Sequence, residues 1–597
     1  MSDLLSIGAS GVRAYQTALS TVSENIANTG TAGYTRRATT LGEVGSISGG
    51  VSARSVSTGS GVAVSGIARS ADAYRAQAVR SAGTDLAKTE TSVTWMSRIE
   101  SSLGDNKLGD RLTSFFGAVQ ALSADPTSVP ARAAMLESAS TAAAAFTATG
   151  KALDAAASEL DASASQGAQS LNALGTTLAK INDGLARTQP GSSSAAQLAD
   201  QRDQVLEQMS TLTDVNTAFD DLGRATVRLG GASGAVFVVG TDSGQVSFAR
   251  NDDGAVQFAV TRGGEASVLS PSGGTLAGFA DGAQRIASAR AGLNTIASDF
   301  TAQVNAVQMQ GRDLDGKAGT ALFATGETAT NISVALTDPR GIAAAGATGG
   351  VRDSSNLSAL QAVRGSGAFE TRTTNLIAGN AAALEQRKTV ADAQSAIRDG
   401  AVSALAAASG VDLDSEAVDL LRFQQAYQAS SRVIQTARDT LNGIATDFTT
   451  QVNAIQAQGR DLDGKAGTPL FKTGDTPTSI TVALTDPRGI AAAGATGGAR
   501  DASNLAALLA TRDPTTGSEQ RLTNMITSNA ASLEQRKLVG DAQGAIRDGA
   551  VTARDSGSGV DLDSEAVDLL RFQQAYQASS RVIQTARDIL QTILEIR

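Results

Sequence analysis

A long stretch of this 597-residue chain occurs twice in tandem, and this repetition limits what the chain can fold into more than any other feature. Residues 293–439 recur as residues 441–588, and Gly410–Asp439 is identical to Gly559–Asp588. A unit of this length is too long to be a solenoid repeat. Only one copy of a helix can occupy a given place in a fold, so the other copy must cover its apolar face elsewhere.

The second copy ends in a predicted helix, residues 564–597, with a wide apolar face. Apolar residues step by three and four along it, as in the seam of a coiled coil, and a second apolar stripe lies beside the first. Acidic residues stand at its start, where they suit the positive end of the helix dipole. The positions predicted to form the packing seam are Leu569, Phe572, Tyr576, Ile583, Leu590 and Ile593.

The first helix of the chain shows the same spacing of apolar residues. Its predicted seam positions are Leu5, Val12, Tyr15, Leu19, Val22 and Ile26. Two amphipathic helices packed in an ordinary core would explain both patterns. Terminal helices that pair with each other, and with copies in neighbouring molecules, would explain them too. Of the two copies, we expect residues 564–597 rather than residues 415–444 beside the first helix, because Ile589–Ile596 extends the seam.

The segment NIANTGTAGYTRR, residues 25–37, follows the first helix. Small residues end the helix, and an aromatic ring with two arginines can fix a turn. This segment resembles the signature that follows the first helix in the axial proteins of the bacterial flagellum. The matching positions are Asn25, Asn28, Gly33, Tyr34 and Arg36. A helix-to-loop exit without a partner role is the alternative.

Within the axial proteins, GYTRR at residues 33–37 is most similar to the hook-associated proteins that join hook to filament, the FlgK type. The pattern FF…LSADP…R at residues 115–132 and the phrase DQRD at residues 200–203 resemble the same family. Family members carry the C-terminal unit once, so the duplication departs from their pattern.

The resemblance implies a structural subunit of the flagellum rather than an enzyme. Its partners would be the hook protein, a second junction protein and copies of itself in a helical array, with an export chaperone on the C-terminal helix. It would be extracellular, at the hook-filament junction, after type III export without a cleaved signal peptide. A hook or filament subunit is the alternative within this class. A secreted adhesin or glycosidase, carried by a β-rich domain predicted at residues 213–277, is the alternative from a different class.

The composition argues against most catalytic and nucleic-acid-binding functions. The chain has no cysteine and no histidine, which removes disulfides, imidazole bases and the usual zinc ligands. A net charge of −10 without a basic run argues against nucleic acid and anionic membrane as partners. No uninterrupted apolar stretch approaches the roughly 20 residues of a membrane span. We therefore expect no cofactor and no metal.

Two local patterns resemble catalytic, metal-binding or phosphate-binding sites. Asp200, Asp203 and Glu207 fall on one helix face, as paired carboxylates of a glycosidase or a metal site do, although ion pairs with Arg202 and its neighbours explain them more simply. Gly311–Lys317 spells a phosphate-binding G-x-x-x-x-G-K, but Ala318 stands where a Ser or Thr would hold magnesium, and a helix precedes the motif. We predict a turn there.

The predicted fold is mainly α with a β insert, in which long terminal helices form a coiled-coil or helical-bundle core. The expected domains are residues 1–40 (core helix and axial signature), 41–212 (helical bundle with an N-terminal loop or hairpin region), 213–277 (β-rich outer domain), 278–440 (first copy) and 441–597 (second copy). Short alternating strands separated by Gly, Ser, Asp and Asn indicate the β domain.

Overall fold

The computed structural model describes residues 2–43, 61–251, 254–324, 326, 328–474, 476, 479–513, 515 and 517–558. The predicted seam positions of the second copy, Leu569, Phe572, Tyr576, Ile583, Leu590 and Ile593, lie outside the described residues. The chain is mainly α with a β insert, as the sequence predicts. It divides into two compact units: a larger one, from Arg13 to Tyr427, and a smaller one that joins the chain up to Val12 to the chain from Gln428 onwards.

Long helices build most of the chain, and capping residues mark where several of them begin. Their bounds are α1 Ser2–Ala27, α2 Ala73–Gly104, α3 Leu108–Ala124, α4 Val129–Arg187, α5 Ser193–Leu212, α6 Gly274–Gln310, α7 Ser355–Gly367, α8 Phe369–Ser409, α9 Leu413–Gln458, α10 Ser503–Ala510 and α11 Ser518–Ser558. The side chains of Asp72, Ser128 and Ser192 accept hydrogen bonds from backbone N–H groups of α2, α4 and α5. Each cap satisfies a donor that the first turn would otherwise leave unpaired.

The strands form small antiparallel sheets, and the two larger ones, which make up the β insert, are held by α4. The strands are β1 Arg37–Glu43, β2 Val62–Arg69, β3 Val215–Phe219, β4 Ala225–Leu229, β5 Ala235–Val239, β6 Asp242–Ser243, β7 Gln245–Arg250, β8 Val256–Arg262 and β9 Glu265–Leu269. Strands β3 to β6 form one sheet, β7 to β9 another, and β1 pairs with β2. Asn172 and Asn182 of α4 hydrogen-bond backbone groups of both larger sheets. The sheets are therefore fixed to the helical bundle through buried or half-buried polar contacts.

The core of the larger unit contains a cluster of phenylalanine rings. The Phe300 ring centroid lies 5.2–6.2 Å from those of Phe115, Phe116, Phe146, Phe323 and Phe369. Beside this cluster the fully buried Arg132 donates to the carbonyls of Pro126 (2.8 Å) and Ile342 (2.5 Å). Burial lowers the pKa of the Arg132 guanidinium. The pattern FF…LSADP…R thus joins α3 and α4 to the first copy of the repeat.

Each copy of the repeat begins with a small module, residues 293–367 in the first copy and residues 441–510 in the second. Both modules contain a two-stranded sheet, β10 Phe323–Ala324 with β11 Ser333–Val334 and β12 Phe471–Lys472 with β13 Thr481–Val482. The same internal hydrogen bonds recur. Asn305 and Asn453 donate to the carbonyls of Phe323 and Phe471 at 2.8 and 2.7 Å, and Gln308 and Gln456 donate to Gly341 and Gly489 at 2.9 and 2.8 Å. The two modules therefore share one fold.

The two modules differ in whether their apolar face is covered. In the first module Phe300, Ile342 and Leu357 are each 0% exposed, because α3 and α4 pack over them. Their counterparts Phe448, Ile490 and Leu505 are 37%, 40% and 41% exposed. The second module keeps the fold of the first and leaves its apolar face partly open to solvent.

Candidate assembly site

The end of α1, the signature segment and the start of α9 meet at the buried side chain of Asn25. Its Nδ2 donates to the Arg37 carbonyl (2.8 Å) and to Glu416 Oε2 (3.0 Å). Its Oδ1 accepts from the Tyr34 hydroxyl (2.8 Å) and from the Arg37 N–H (3.0 Å). An amide has two donors and one carbonyl oxygen, and all of them are used here. Asn25 therefore joins three segments with no polar group left unsatisfied.

Arg36 completes the link to α9. Its Nε donates to Glu416 Oε1 at 2.6 Å, and a terminal nitrogen donates to Asp419 Oδ2 at 3.3 Å. The Arg36 N–H donates to the Ser409 carbonyl at 2.9 Å. The Glu416 carboxylate is fully buried and has Asn25 on one oxygen and Arg36 on the other. A buried carboxylate is tolerated only when paired in this way.

Tyr34 is held between Asn25 and Arg37. Burial raises the pKa of the Tyr34 hydroxyl, which keeps it protonated as a donor to Asn25. The Arg37 guanidinium lies 4.9 Å from the centre of the Tyr34 ring, within the range of a cation–π contact. The ring and the two arginines of the signature do fix a turn, through Asn25 on one side and acidic residues on the other.

Acidic residues of α5 form ion pairs with an arginine of the signature and with arginines of β2 and α5. Asp200 accepts from Arg37 (3.1 Å) and Arg69 (2.7 Å), and Asp203 accepts from Arg69 (2.8 Å) and Arg202 (2.6 Å). Both carboxylates are thus occupied by guanidinium groups, as the ion-pair interpretation predicted, while Glu207 is exposed. This arrangement positions β1 and β2 against α5 and leaves no carboxylate pair free for catalysis at this place.

An apolar contact lies beside the polar one. Ala18 and Val22 of α1 form a buried cluster with Phe423 of α9, and the Tyr15 and Phe423 ring centroids are 6.3 Å apart. Of the other predicted seam positions, Leu19 packs half-buried against this cluster and Ile26 is 37% exposed. Leu5 and Val12, in the smaller unit, are half-buried. The predicted seam therefore coincides only in part with the buried face of α1. That buried face consists mostly of small residues.

The first copy of the repeat contacts α1 in the structure, through Glu416, Asp419 and Phe423. The residues expected beside α1, 564–597 of the second copy, lie outside the described residues, so that expectation stays a prediction. The extended seam of the second copy suggested that choice, but the contacts made here use residues that are identical in both copies. Apolar spacing alone cannot choose between them.

Sequence reasoning missed the roles of Glu416 and Asp419. From the sequence, the acidic residues at the start of the identical helix in the second copy are assigned to the helix dipole, and in the first copy Asp412 does accept from Asp414 N–H at 3.1 Å. Glu416 instead points to Arg36, some 380 residues earlier in the chain. The sequence did contain a signal for this contact. Glu416, four residues after Asp412, lies on the same helix face as the apolar seam, and this indicates that it faces a packing partner.

Gly33 allows the turn that brings Tyr34 and Arg36 to this site. Its φ is +75°, and a Cβ there would lie 2.0 Å from Gln204 Nε2. Gln204 itself donates to the Ala32 carbonyl at 2.7 Å. Asn28, just after α1, donates to the Glu24 carbonyl at 2.8 Å, and its own carbonyl accepts from the Thr31 N–H at 2.9 Å.

Replacing Gly33 by alanine should open this turn. The left-handed backbone costs a non-glycine residue about 1–2 kcal/mol, and the contact with Gln204 adds to that cost. Hydrogen exchange of the Tyr34–Arg37 amides, followed by mass spectrometry, should rise in the variant. The matched control is Gly30→Ala, where a Cβ meets nothing within 4 Å and φ is not in the left-handed region. Equal exchange in the two variants would contradict this account of Gly33.

The glycine-lysine loop at residues 311–317 is a closed turn, as predicted. Asp313 accepts from the N–H groups of Asp315 (2.9 Å) and Lys317 (2.8 Å), and Arg312 donates to the Gly316 carbonyl at 2.8 Å. The carboxylate occupies the amides that a phosphate would need.

Across the part of the chain that the structure describes, no cluster of acidic residues has the arrangement of a metal site, and no helix is long and apolar enough to cross a membrane.

Comparisons with known proteins match parts of this chain to flagellar protein families. Residues 96–323 match the family model of the flagellar hook-associated protein FlgK helical domain. Residues 403–446 and residues 552–596 each match the model of the C-terminal region of the flagellar basal body rod FlgEFG proteins. The repeated match follows the tandem duplication.

A solved structure is also similar to this chain. It is that of the flagellar hook junction protein FlgK from Burkholderia pseudomallei, with 23% identity over 42% of this chain and 46% of that one, and a TM-score of 0.37. The similarity thus spans less than half of either chain. No curated protein matches the sequence.

Proposed function

We propose that this chain, a FlgK-type hook-associated protein of the flagellar axis, is the structural subunit that joins hook to filament. The observation that supports the proposal is the contact of the axial signature with α9 through Asn25, Arg36 and the buried Glu416. It ties the end of the first helix to the start of α9, in the first copy of the repeat, with charged hydrogen bonds beside a small apolar cluster. Axial subunits pair their terminal helices, and α9 carries in Gly410–Asp439 the same sequence as Gly559–Asp588 near the C-terminal end of the given chain.

The proposed mechanism is assembly. Terminal helices that are unfolded during export order on incorporation, and the entropy lost in ordering is offset by burial of their apolar faces against neighbouring subunits. Half-buried Leu5, Val12, Tyr15 and Leu19, together with the more exposed Ile26, are the α1 positions offered to those neighbours. Contacts of this head-to-tail kind propagate into an open helical array.

The proposed partners follow from this role. They are the hook protein below, a second junction protein above, and copies of this chain in the same layer. An export chaperone would hold the apolar C-terminal helix before type III secretion to the cell exterior. The proposal assigns no catalysis to the chain.

Replacing Val22 by aspartate should prevent incorporation into the flagellum. The variant buries an unpaired charge against Phe423, at a cost of several kcal/mol, on the order of 3–5. The measurement is electron microscopy of isolated filament-less hooks after addition of purified protein, scored for a short extension at the distal end. The wild-type chain should add a few subunit layers and stop, and the variant should add none.

The matched control is Ser23→Asp, which places the same charge at the exposed neighbouring position. It should assemble like the wild-type chain. Assembly of the Val22→Asp variant would contradict the role of this helix face. A long uniform polymer from the wild-type chain would indicate a hook or filament subunit instead of a junction subunit.

A further inference from the structure

The surface of the larger unit that contacts the start of α9, up to Phe423, can be defined by a few groups. We call it the α1 receptor: the side chains of Asn25 and Arg36, the N–H of Arg36, and the apolar residues Ala18 and Val22. The first copy of the repeat fills it with the Ser409 carbonyl and the side chains of Glu416, Asp419, Leu420 and Phe423. Each polar group of the receptor has a partner among these residues.

Every residue that fills the receptor has an identical counterpart in the second copy. The counterparts are Ser558, Glu565, Asp568, Leu569 and Phe572. The helices that precede the two segments are also alike. Both α8 and α11 are 41 residues long, and each ends at the serine that precedes the identical stretch. Direct contacts therefore give the receptor no means of distinguishing the copies.

We propose that residues 559–597 are a second ligand for the α1 receptor and compete there with the first copy. The inference rests on the proposed pairing of terminal helices, and adds that one receptor serves two interchangeable helices. Because the contacts are identical, the occupancy is set by how each copy is tethered and by neighbouring molecules, rather than by intrinsic affinity.

Exchange of one copy for the other leaves no buried charge unpaired. Glu565 would take the place of Glu416 between Asn25 and Arg36, and Phe572 would take the place of Phe423 against Val22. An empty receptor, in contrast, would leave the buried amide of Asn25 and the half-buried guanidinium of Arg36 without these partners, which is costly. Replacement of the first copy by the second therefore costs less free energy than release of the first copy to leave an empty receptor.

Two-thiol crosslinking can test this exchange in the full-length purified chain, which has no natural cysteine. One variant carries Tyr15→Cys and Phe423→Cys, and a second carries Tyr15→Cys and Phe572→Cys. Both are treated with a short bis-maleimide, and the bridged peptides are identified by mass spectrometry. The first variant should crosslink because the two rings are neighbours, with centroids 6.3 Å apart. The second should crosslink above a control in which Tyr74→Cys, on the exposed part of α2, replaces Tyr15→Cys.

Matched glutamate variants make the competition visible. Adding Glu416→Gln should raise the yield of the Tyr15–Phe572 bridge at least about tenfold relative to Glu565→Gln, because each change weakens one ligand only. A crosslinked monomer shows that the second copy comes from the same chain, and a crosslinked dimer shows that it comes from another copy. The transition of Trp95 fluorescence in urea confirms that the Glu416→Gln chain remains folded.

Two negative results have different meanings. If the Tyr15–Phe572 bridge stays at the level of the Tyr74 control in both glutamate backgrounds, the exchange proposal is wrong while the pairing of terminal helices stands. If the Tyr15–Phe423 bridge itself fails to form, the pairing is wrong and the proposed assembly role loses its support.

Discussion

Replacing Phe300 by alanine should lower the free energy of unfolding of the larger unit by about 3–5 kcal/mol. The ring is fully buried and contacts five other phenylalanine rings, so its removal leaves a cavity between α3, α4, α6 and α8 that rigid helices cannot close. The measurement is urea unfolding followed by the fluorescence of Trp95. That residue is the one tryptophan of the chain and is buried in the same core.

The tandem repeat supplies the matched control, Phe448→Ala. Phe448 is the counterpart of Phe300, is 37% exposed, and has Phe471 as a ring neighbour at 5.6 Å. Because Phe448 belongs to the smaller unit, its replacement should leave the Trp95 transition unchanged. A shift of that transition as large as for Phe300→Ala would show that the second module is packed as tightly as the first, contrary to the structure.

Replacing Arg36 by leucine should release α9 from the axial signature at a cost of about 3–5 kcal/mol. The change leaves the Glu416 carboxylate buried with Asn25 as its remaining partner at this site. Hydrogen exchange of the Arg36 and Arg37 amides should become faster by the corresponding factor, since these amides donate to Ser409 and Asn25.

Two controls separate the loss of the pair from the loss of one arginine. Arg187→Leu removes an arginine whose side chain is 73% exposed and paired with Asp183, and it should cost less than about 1 kcal/mol. The double variant Arg36→Leu, Glu416→Leu removes both charges and should recover most of the protection. If the double variant exchanges as fast as Arg36→Leu alone, the buried carboxylate is not the cause of the instability.

Much of the fold could be predicted from the sequence, because its signals are local. Apolar spacing of three and four predicts the long helices, and alternation with Gly and Asn predicts the β insert, where Gly230 and Gly231 do adopt left-handed turns. The pairing of Asp200 with arginines could be predicted as well, since it requires only that carboxylates on one helix face find nearby guanidinium groups.

The contacts of the candidate site could be predicted only in part. The signature residues Asn25, Tyr34 and Arg36 could be chosen by resemblance, but their partner Glu416 could not, because it is far away in sequence and its twin Glu565 has the same neighbours along the chain. The choice between two identical helices depends on tethering and tertiary packing. Neither is encoded in residue spacing.

The uncovered face of the second module has an evolutionary consequence. Two apolar residues that are buried in the first copy are polar in the second, because Val363 corresponds to Thr511 and Phe369 to Ser518, whereas Phe448, Ile490 and Leu505 keep the residue types of their buried counterparts. The asparagine and glutamine that hold each module together are unchanged. An uncovered face tolerates such polar replacements, whereas the residues that hold the module together remain necessary for its fold. Further drift should accumulate on this face first, and it is there that a duplicated segment can acquire a new specificity without loss of the old one.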